Sequence, residues 1–401
     1  RTAYMTGEGR IPPENILVVT FSRAAAKEMK ERFLKFTGQS ATRVTFGTFH
    51  GVFYGILRQA YGFTAANILS GILKELILNY GGDLAEEGDF PEEIAKEISV
   101  VKGNRISLEY YYSSCCPDEV FRQIYSGYCQ TCQARRKLDF DDMLVLCKDL
   151  FVSHPDVLKQ WQTKFKYILV DEFQDINRVQ YDVIRMLALP ENNLFVVGDD
   201  DQAIYGFRGA DSEFMFRFSE DYPQAKRIIL NINYRSSGNI VKNSMKVIGH
   251  NEKRFLKEFQ SVKENGFCVH VQEVKDPNEE AQYVADEIEK RAELGISYEE
   301  MAVLFRIHTD ARPVAEEFLE RKIPFQMKER LSNLYDHFIA KDICAYFRLA
   351  LGNIERNDLL QVMNRPKRYI GRDSVASGKP SFEEMRKFYC DKEWMLDRID
   401  Q

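Results

Sequence analysis

The sequence lacks both an excess of positive charge and any long apolar run. Its 401 residues carry a formal net charge of −6, and the pI is near 5.7. This balance argues against a histone-like protein that coats duplex DNA through charge alone, although it permits a local groove that binds a few phosphates. No stretch approaches the roughly 18 apolar residues that a membrane span requires, so we expect no membrane association.

Cysteine is too sparse for a disulfide scaffold. The chain has eight cysteines, and a protein of this size needs no covalent staples, so we expect a reducing, cytoplasmic setting. Four of them cluster as Cys115, Cys116, Cys129 and Cys132. Adjacent cysteines chelate a single ion poorly, so free thiols are a better prediction than a zinc site. The first residues show neither an initiator methionine nor a signal peptide, so we expect a longer parent protein.

Five short apolar runs predict the strands of a parallel sheet. They are apolar without alternation, which is typical of strands buried on both faces. The runs are Ile16–Thr20, Val44–Thr48, Tyr167–Val170, Leu194–Val197 and Ile228–Leu230. In such sheets ligands bind beyond the carboxyl ends of the strands, which is where the sequence has Thr20, Thr48, Asp171 and Asp199.

The chain also divides by pattern. Residues 62–137 lose the strand rhythm and predict a helical insertion into an α/β lobe formed by residues 1–61 and 138–265. A second α/β pattern begins near residue 266, with strands predicted at Cys268–Val274 and Met301–Phe305. From residue 352 onward the pattern is polar and helical.

Two adjacent carboxylates, Asp171 and Glu172, follow the strand predicted at Tyr167–Val170. Such a pair can divide its work, one acid binding Mg²⁺ and the other accepting a proton from an attacking water. A bare acid pair after a strand is more often a solvated loop. Gln174 and Asp175 in the same turn favour the catalytic interpretation.

A second block follows the strand predicted at Leu194–Val197. Gln202 can reach the same sheet edge, where an amide can hydrogen-bond a terminal phosphate or the attacking water. Tyr205, Phe207 and Arg208 crowd onto one glycine-containing loop. Aromatics and arginine together suit single-stranded nucleic acid, because bases of any sequence stack on such rings. The alternative is that Tyr205 and Phe207 are core residues. Their position among glycines, next to an arginine, favours exposure instead.

Two blocks near the start of the chain repeat one design, in which a hydroxyl and an aromatic follow a strand. Thr20, Phe21 and Ser22 form the first, and Thr48 and His50 belong to the second. The hydroxyls suit sugar–phosphate contacts, and Phe21 suits base stacking. His50 in isolation is more often a core or solvated residue.

Two further polar blocks carry weaker signals. Tyr234 and Arg235 follow the strand predicted at Ile228–Leu230, and arginine can bind phosphate through two parallel hydrogen bonds. The acids of Leu138–Leu144 could suggest a metal site. We favour a structural interpretation, in which Asp139 caps a helix and the acids of its first turn complement the helix dipole.

These blocks, in this order, resemble the UvrD/Rep-like DNA helicases of superfamily 1A. The close matches are Thr20–Met29, Gly47–His50, Leu138–Leu144, Asp171–Asp175, Gly198–Asp211 and Asn233–Ser236. The resemblance implies an α/β protein with two RecA-like lobes and ATP between them, moving 3′-to-5′ on single-stranded DNA. It implies lobe 1A at 1–61 and 138–265, helical subdomain 1B at 62–137, part of lobe 2A at 266–351 and the start of subdomain 2B at 352–401.

The resemblance also implies roles for single residues. Asp171 and Glu172 would serve Mg²⁺ and water activation, Gln202 and Arg235 would sense the γ-phosphate, and Tyr234 would stack on adenine. The implied DNA track consists of Thr20, Phe21, Ser22, Thr48, His50, Tyr205, Phe207 and Arg208. The implied partners are single-stranded DNA and single-strand/duplex junctions, and we expect a monomer in isolation.

The departures from the family pattern define the alternatives. The family's glycine-rich phosphate loop would precede Arg1 and its arginine finger would follow Gln401, so we expect residues 1–401 alone to be inactive in hydrolysis. Phe207 stands where tryptophan is frequent in the family. Three functions therefore remain open: a helicase or translocase in repair, replication or recombination, the helicase subunit of a recombination helicase–nuclease, and a non-hydrolysing module that binds single-stranded DNA.

Overall fold

The computed structural model describes residues 1–64, 72–80, 90–328, 333, 335, 337–353, 355–366, 368–375 and 380–400. The chain divides into two compact units, Arg1–Val269 and His270–Gln401. Among the helices within these ranges, none combines the length and the apolar character that crossing a membrane requires.

The first unit contains a four-stranded parallel sheet with the order β2-β1-β3-β4. Its strands are β1 (Ile16–Thr20), β2 (Thr45–Thr48), β3 (Tyr167–Val170) and β4 (Leu194–Val196). The prediction of a parallel α/β sheet is confirmed, with β2 and β4 each one residue shorter than expected. Thr20 pairs with Thr48, and Val19 with Val170. The carboxyl ends of these strands therefore meet at one edge, which is the edge where parallel sheets bind ligands.

The prediction of a fifth buried strand at Ile228–Leu230 is wrong. These three residues are exposed and carry no strand pairing. An apolar run becomes a central strand only when neighbouring strands satisfy its backbone and both faces are covered, and neither condition holds within the described residues. The chain instead forms β5 (Ile232–Asn233), which pairs in parallel with β6 (Gln260–Ser261).

Eleven helices are described in the first unit. In chain order they are α1 (Thr2–Thr6), α2 (Arg23–Thr37), α3 (Phe49–Tyr61), α4 (Ile72–Tyr80), α5 (Phe90–Asn104), α6 (Asp118–Ala134), α7 (Phe140–Ser153), α8 (Pro155–Lys164), α9 (Arg178–Ala188), α10 (Glu213–Asp221) and α11 (Gly238–Ile248). The predicted cap of α2 is confirmed, since the Ser22 hydroxyl accepts a hydrogen bond from the Ala25 amide at 3.1 Å. The main core lies where α3, α7 and α9 cover the sheet, around Val19, Phe53 and Val170.

The helices α4, α5 and α6 share a separate apolar cluster, in which Ile94, Phe121 and Ile124 are almost fully buried. One buried cation ties this cluster to the start of α7. The ammonium of Lys102 lies 2.7 Å from Asp139 and 2.6 Å from Asp142. The helical region thus has its own core and a charged attachment to the sheet-bearing part of the same unit.

All the regular elements described in the second unit are helices. Its helices are α12 (Pro277–Glu293), α13 (Ala311–Glu320), α14 (Phe338–Ala350), α15 (Arg356–Val362), α16 (Phe382–Phe388) and α17 (Glu393–Asp400). The strands predicted at Cys268–Val274 and Met301–Phe305 are wrong. Val271 and Leu304 are more than 90% exposed, and no strand pairs with either segment in the described part of the chain. Alternating or apolar sequence alone does not make a strand without a partner.

Candidate functional site

The acid pair lies directly beyond β3 at the ligand-binding edge of the sheet. The Asp171 carboxylate is half-buried, and its Oδ2 atom lies 3.5 Å from the Thr20 hydroxyl at the end of β1. Burial raises the pKa of Asp171, and the neighbouring charge of Glu172 raises it further. Glu172 is exposed and has a left-handed backbone, with φ of 52°. A non-glycine residue in this region is strained, so the turn is one that the fold imposes.

Gln174 connects the acid pair to the loop after β4. Its amide nitrogen donates to Glu172 Oε2 at 2.9 Å, and its carbonyl oxygen accepts from the Asp199 backbone amide at 3.1 Å. Asp199 in turn accepts a hydrogen bond from the Gln202 side chain at 2.7 Å. Glu172 and Gln202, predicted to lie at one edge, are therefore joined through two intervening residues.

The aromatic residues of the same loop form an exposed ring cluster with Phe21. The rings of Phe21 and Tyr205 are stacked, with centroids 5.1 Å apart and planes 21° apart. Phe207 lies beside Tyr205 and is 58% exposed. The guanidinium of Arg208 lies over both Tyr205 and Phe207, at 5.3 and 5.4 Å from the ring centroids. These rings are therefore not part of the core, and a cation lies among them.

A groove of about 580 Å³ runs beside this cluster, between the sheet edge and helix α5. Phe21, Tyr205, Arg208 and His50 line it. Burial lowers the pKa of His50 and outweighs the charge of Asp139, which raises it. The imidazole is therefore neutral at pH 7. His50 therefore offers a hydrogen bond or a ring face rather than a positive charge.

The three hydroxyls expected on the DNA track lie in different settings. Thr20 is only 1% exposed, because β1 is buried along its whole length, and its hydroxyl is directed to Asp171. Its assignment to the DNA track stays a prediction. Ser22 is exposed, and Thr48 is half-buried. Both hydroxyls accept a hydrogen bond from a backbone amide and so cap a helix, Ser22 at the start of α2 and Thr48 at the start of α3.

Tyr234 and Arg235 follow β5 and are exposed. A turn closed by the Asn233 side chain fixes their backbone, since this oxygen accepts the amides of Arg235 and Ser236 at 2.9 and 2.8 Å. Within the described residues, neither side chain makes a hydrogen bond, ion pair or ring contact with the acid pair or Gln202. The structure therefore groups the acid pair with Gln202 and leaves Tyr234 and Arg235 on a neighbouring turn.

The acids at the start of α7 and the cysteine cluster are the candidates for a metal site in which we favour a structural interpretation. Asp139 caps α7, because its carboxylate accepts a hydrogen bond from the Asp142 backbone amide at 2.6 Å. The Asp142 carboxylate in turn accepts a hydrogen bond from the Asp139 backbone amide at 3.2 Å. The capping prediction is confirmed. All eight cysteines are free thiols. Among the described residues, no group of three or more His, Cys, Asp or Glu side chains is arranged to hold a metal.

Sequence reasoning did not predict the contacts that Gln174 and Lys257 make at this site. The relay role of Gln174 had a local signal, because it lies between two acidic residues, Glu172 and Asp175. Lys257 had no such signal. Its ammonium lies 2.5 Å from Asp200, a residue 57 positions away in the sequence, and only the folded chain brings the two together.

Two protein-family models match the chain. Residues 1–223 match the UvrD/REP helicase N-terminal domain, and residues 228–389 match the UvrD-like helicase C-terminal domain. The chain is 34% identical over 399 residues to the "ATP-dependent DNA helicase PcrA" of Staphylococcus epidermidis, a match that covers 94% of this chain and 52% of the relative. The protein of the same name from Staphylococcus aureus is 34% identical over 387 residues, with the same coverage. The chain spans about half the length of these relatives. Since the N-terminal domain model alone covers more than half of the chain, the chain belongs to the UvrD/REP helicase family.

Proposed function

We propose that the intact protein, meaning residues 1–401 with any sequence that flanks them, is an ATP-dependent DNA helicase or translocase acting on single-stranded DNA. One observation carries the proposal. The loop 198–211 bears both Gln202, which is hydrogen-bonded toward the acid pair, and the ring cluster of Tyr205, Phe207 and Arg208. A single short loop therefore links chemistry suited to a nucleotide with chemistry suited to unpaired bases.

On the nucleotide side, Asp171 and Glu172 fit a Mg²⁺ ion. Mg²⁺ is commonly held by one or two carboxylates together with phosphate oxygens and water. Burial raises the pKa of the Asp171 carboxyl, and a nearby cation would lower it again because it favours the ionised form. Bound Mg²⁺ would polarise the terminal phosphate of ATP. One Glu172 oxygen is held by Gln174; the other remains to accept the proton of the attacking water.

Gln202 is the third residue proposed to act on the nucleotide side. Its amide nitrogen is engaged by Asp199, so the carbonyl oxygen of this exposed side chain remains to orient a water. Arg235 and Tyr234 are proposed to contact the γ-phosphate and the adenine ring, on the strength of their motif positions. Residues 1–401 contain no G-x-x-x-x-G-K-[ST] sequence, and we propose that these residues alone hydrolyse ATP poorly.

On the DNA side, the rings of Phe21, Tyr205 and Phe207 would stack on bases, and Arg208 would neutralise a phosphate. Each stacked base contributes about 1–3 kcal/mol without sequence preference. Ser22, Thr48 and His50 would supply hydrogen bonds to the sugar–phosphate backbone, His50 from the wall of the groove. Movement in the 3′-to-5′ direction, and a role in repair, replication or recombination, are part of the same proposal.

The domain assignment and the cellular location are proposed on separate grounds. The separate apolar core of α4–α6 supports a 1B subdomain at 62–137 inserted into lobe 1A. The assignments of 266–351 to lobe 2A and of 352–401 to subdomain 2B rest on the family pattern. Eight free cysteines are compatible with the reducing cytoplasm.

The proposal is tested by measuring ATP hydrolysis with and without oligo-dT in the intact protein and its Glu172→Gln variant. The substitution keeps the shape and the Gln174 contact but removes the base, so we expect hydrolysis to fall by about a hundredfold or more. Oligo-dT binding should be unchanged, which controls for misfolding. Retained hydrolysis would contradict the role of Glu172. A wild-type protein that binds oligo-dT but never hydrolyses ATP would favour the non-hydrolysing module.

A further inference from the structure

A short segment after α11, Arg254–Lys257, contacts the loop that carries Gln202. The Arg254 guanidinium lies 2.7 Å from Asp201 Oδ2, and the Phe255 amide donates to Asp200 Oδ2 at 2.8 Å. Lys257 makes the most extensive contact, because its ammonium lies 2.5–3.0 Å from a carboxylate oxygen of each of Asp199, Asp200 and Asp201. Three consecutive acids thus converge on one cation.

This cluster is largely removed from solvent. The side chains of Lys257 and Asp201 are 9% exposed, and that of Asp200 is 1% exposed. Burial lowers the pKa of Lys257, but hydrogen bonds to the three acids outweigh this effect and raise it. The ammonium is therefore charged at neutral pH. Three adjacent carboxylates would repel one another without it, so the shape of the 199–201 turn depends on this cation.

The position of the Gln202 amide depends on the same turn. Asp199 divides its two oxygens between two partners, with Oδ1 accepting from Lys257 at 2.6 Å and Oδ2 accepting from Gln202 at 2.7 Å. Burial would raise the pKa of Asp199, but the hydrogen bond from Lys257 and that from Gln202 lower it. The Asp199 carboxylate is therefore an ionised acceptor, and Lys257 fixes the orientation in which it holds the amide.

The segment also continues into the strand beside the Arg235 turn. In β6, the Gln260 amide donates to the Asn231 carbonyl at 2.9 Å, and the Val262 amide donates to the Asn233 carbonyl at 3.2 Å. Asn233 closes the turn that carries Arg235. Residues 254–262 therefore contact both the loop of Gln202 and the turn of Arg235, although no hydrogen bond, ion pair or ring contact joins those two side chains in the described part of the chain.

We propose that Lys257, supported by Arg254, is a positioning residue for ATP hydrolysis, which it serves by holding Asp199 and thereby the Gln202 amide. The inference rests on the proposed function, since it presupposes that Gln202 acts on the nucleotide side. It adds a residue outside the sequence blocks that carry the family resemblance. Its action is indirect, because the Lys257 ammonium contacts Asp199, Asp200 and Asp201 and, among the described residues, makes no hydrogen bond or ion pair with Asp171 or Glu172.

The test is a double-mutant cycle in the intact protein, with oligo-dT-stimulated ATP hydrolysis as the readout. We expect Lys257→Met to lower kcat by about tenfold or more, with KM for ATP and Kd for oligo-dT changed by less than about threefold. In a Gln202→Ala background, the same substitution should lower kcat by no more than about twofold further, because both changes remove one function. Lys148→Met is the matched control, since it breaks the Lys148–Asp182 pair between α7 and α9; its kcat should be that of the unmodified protein.

Two results of the Lys257→Met experiment would overturn the inference. Effects of Lys257→Met and Gln202→Ala that multiply would mean independent roles, and a parallel loss of kcat, ATP binding and DNA binding would mean a general structural role. If the Lys257→Met protein does not fold, Asp199→Asn is used in its place. The asparagine keeps an acceptor for the Gln202 amide but weakens the pair with Lys257. The effect of Asp199→Asn on kcat must also disappear in the Gln202→Ala background. A Gln202→Ala variant with normal hydrolysis would instead refute the proposed role of Gln202.

Discussion

The exposed ring of Phe207 allows a direct test of the DNA side of the site. Phe207 is 58% exposed, so its replacement by alanine creates no core cavity. It lies beside Tyr205 and under the Arg208 guanidinium, where one base could stack on it. Loss of one stacked base costs about 1–3 kcal/mol, which weakens binding by about 5- to 150-fold. We therefore expect Phe207→Ala to raise the Kd for oligo-dT within this range.

The assay is fluorescence anisotropy with labelled oligo-dT at several salt concentrations, using the intact protein. Stacking releases no counterions, so the slope of log Kd against log salt should be the same in Phe207→Ala and the unmodified protein. Phe36→Ala is the control, because Phe36 is 83% exposed on α2 and makes no ring contact with the cluster in the described part of the chain. An unchanged Kd, or duplex DNA that competes as well as oligo-dT, would refute the stacking account.

Two further predictions follow from close packing and from burial of charge. Gly198→Ala places a methyl group 2.7 Å from the Gln174 carbonyl oxygen, so it should displace the Gln174 side chain and lower DNA-stimulated hydrolysis by at least about tenfold. Gly55→Ala is the control and should leave hydrolysis unchanged, because the added methyl group meets nothing within 4 Å. Burial raises the pKa of Asp141 to about 6; the protonated acid is thus favoured in the folded protein, and stability is lost as pH rises from about 4 through 6. Asp141→Asn removes this penalty, so it should raise the free energy of unfolding at pH 8 by roughly 2–3 kcal/mol and by much less at pH 4.5, measured by urea denaturation.

Each of these two predictions has an outcome that contradicts it. Normal hydrolysis in Gly198→Ala would mean that Gln174 does not need its present position. A stabilisation by Asp141→Asn that is equal at both pH values would mean that packing, rather than charge burial, is responsible. Asp149→Asn on the same helix controls for the loss of one acid, because the Asp149 side chain is 46% exposed.

The sheet and its ligand-binding edge were predictable because they depend on local sequence. Apolar runs that end in Thr20, Thr48 and Asp171 predict parallel strands, and parallel pairing then brings their ends together. The same reasoning failed at Ile228–Leu230, because an apolar run records only the tendency to be buried. Whether a strand forms there depends on a partner that the run itself does not specify.

The finer arrangement of the site was less accessible from the sequence. Thr20 was expected beside the DNA because a hydroxyl at the end of a strand suits sugar–phosphate contacts. In the structure this hydroxyl belongs to a strand buried along its whole length and is directed to Asp171. The convergence of three acids on Lys257 depends on a long-range contact. Charge patterns predict local salt bridges at helical spacing, and they do not identify a lysine that far along the chain.

We propose that the loop 198–211 couples the nucleotide side to the DNA side through Gln202. The most direct measurement is the rate of ATP hydrolysis by the intact Gln202→Ala protein across a range of oligo-dT concentrations. We expect stimulation by DNA to fall by about tenfold or more, while the concentration of oligo-dT at half-saturation stays the same because the ring cluster is intact. Full stimulation in this variant would contradict the claim.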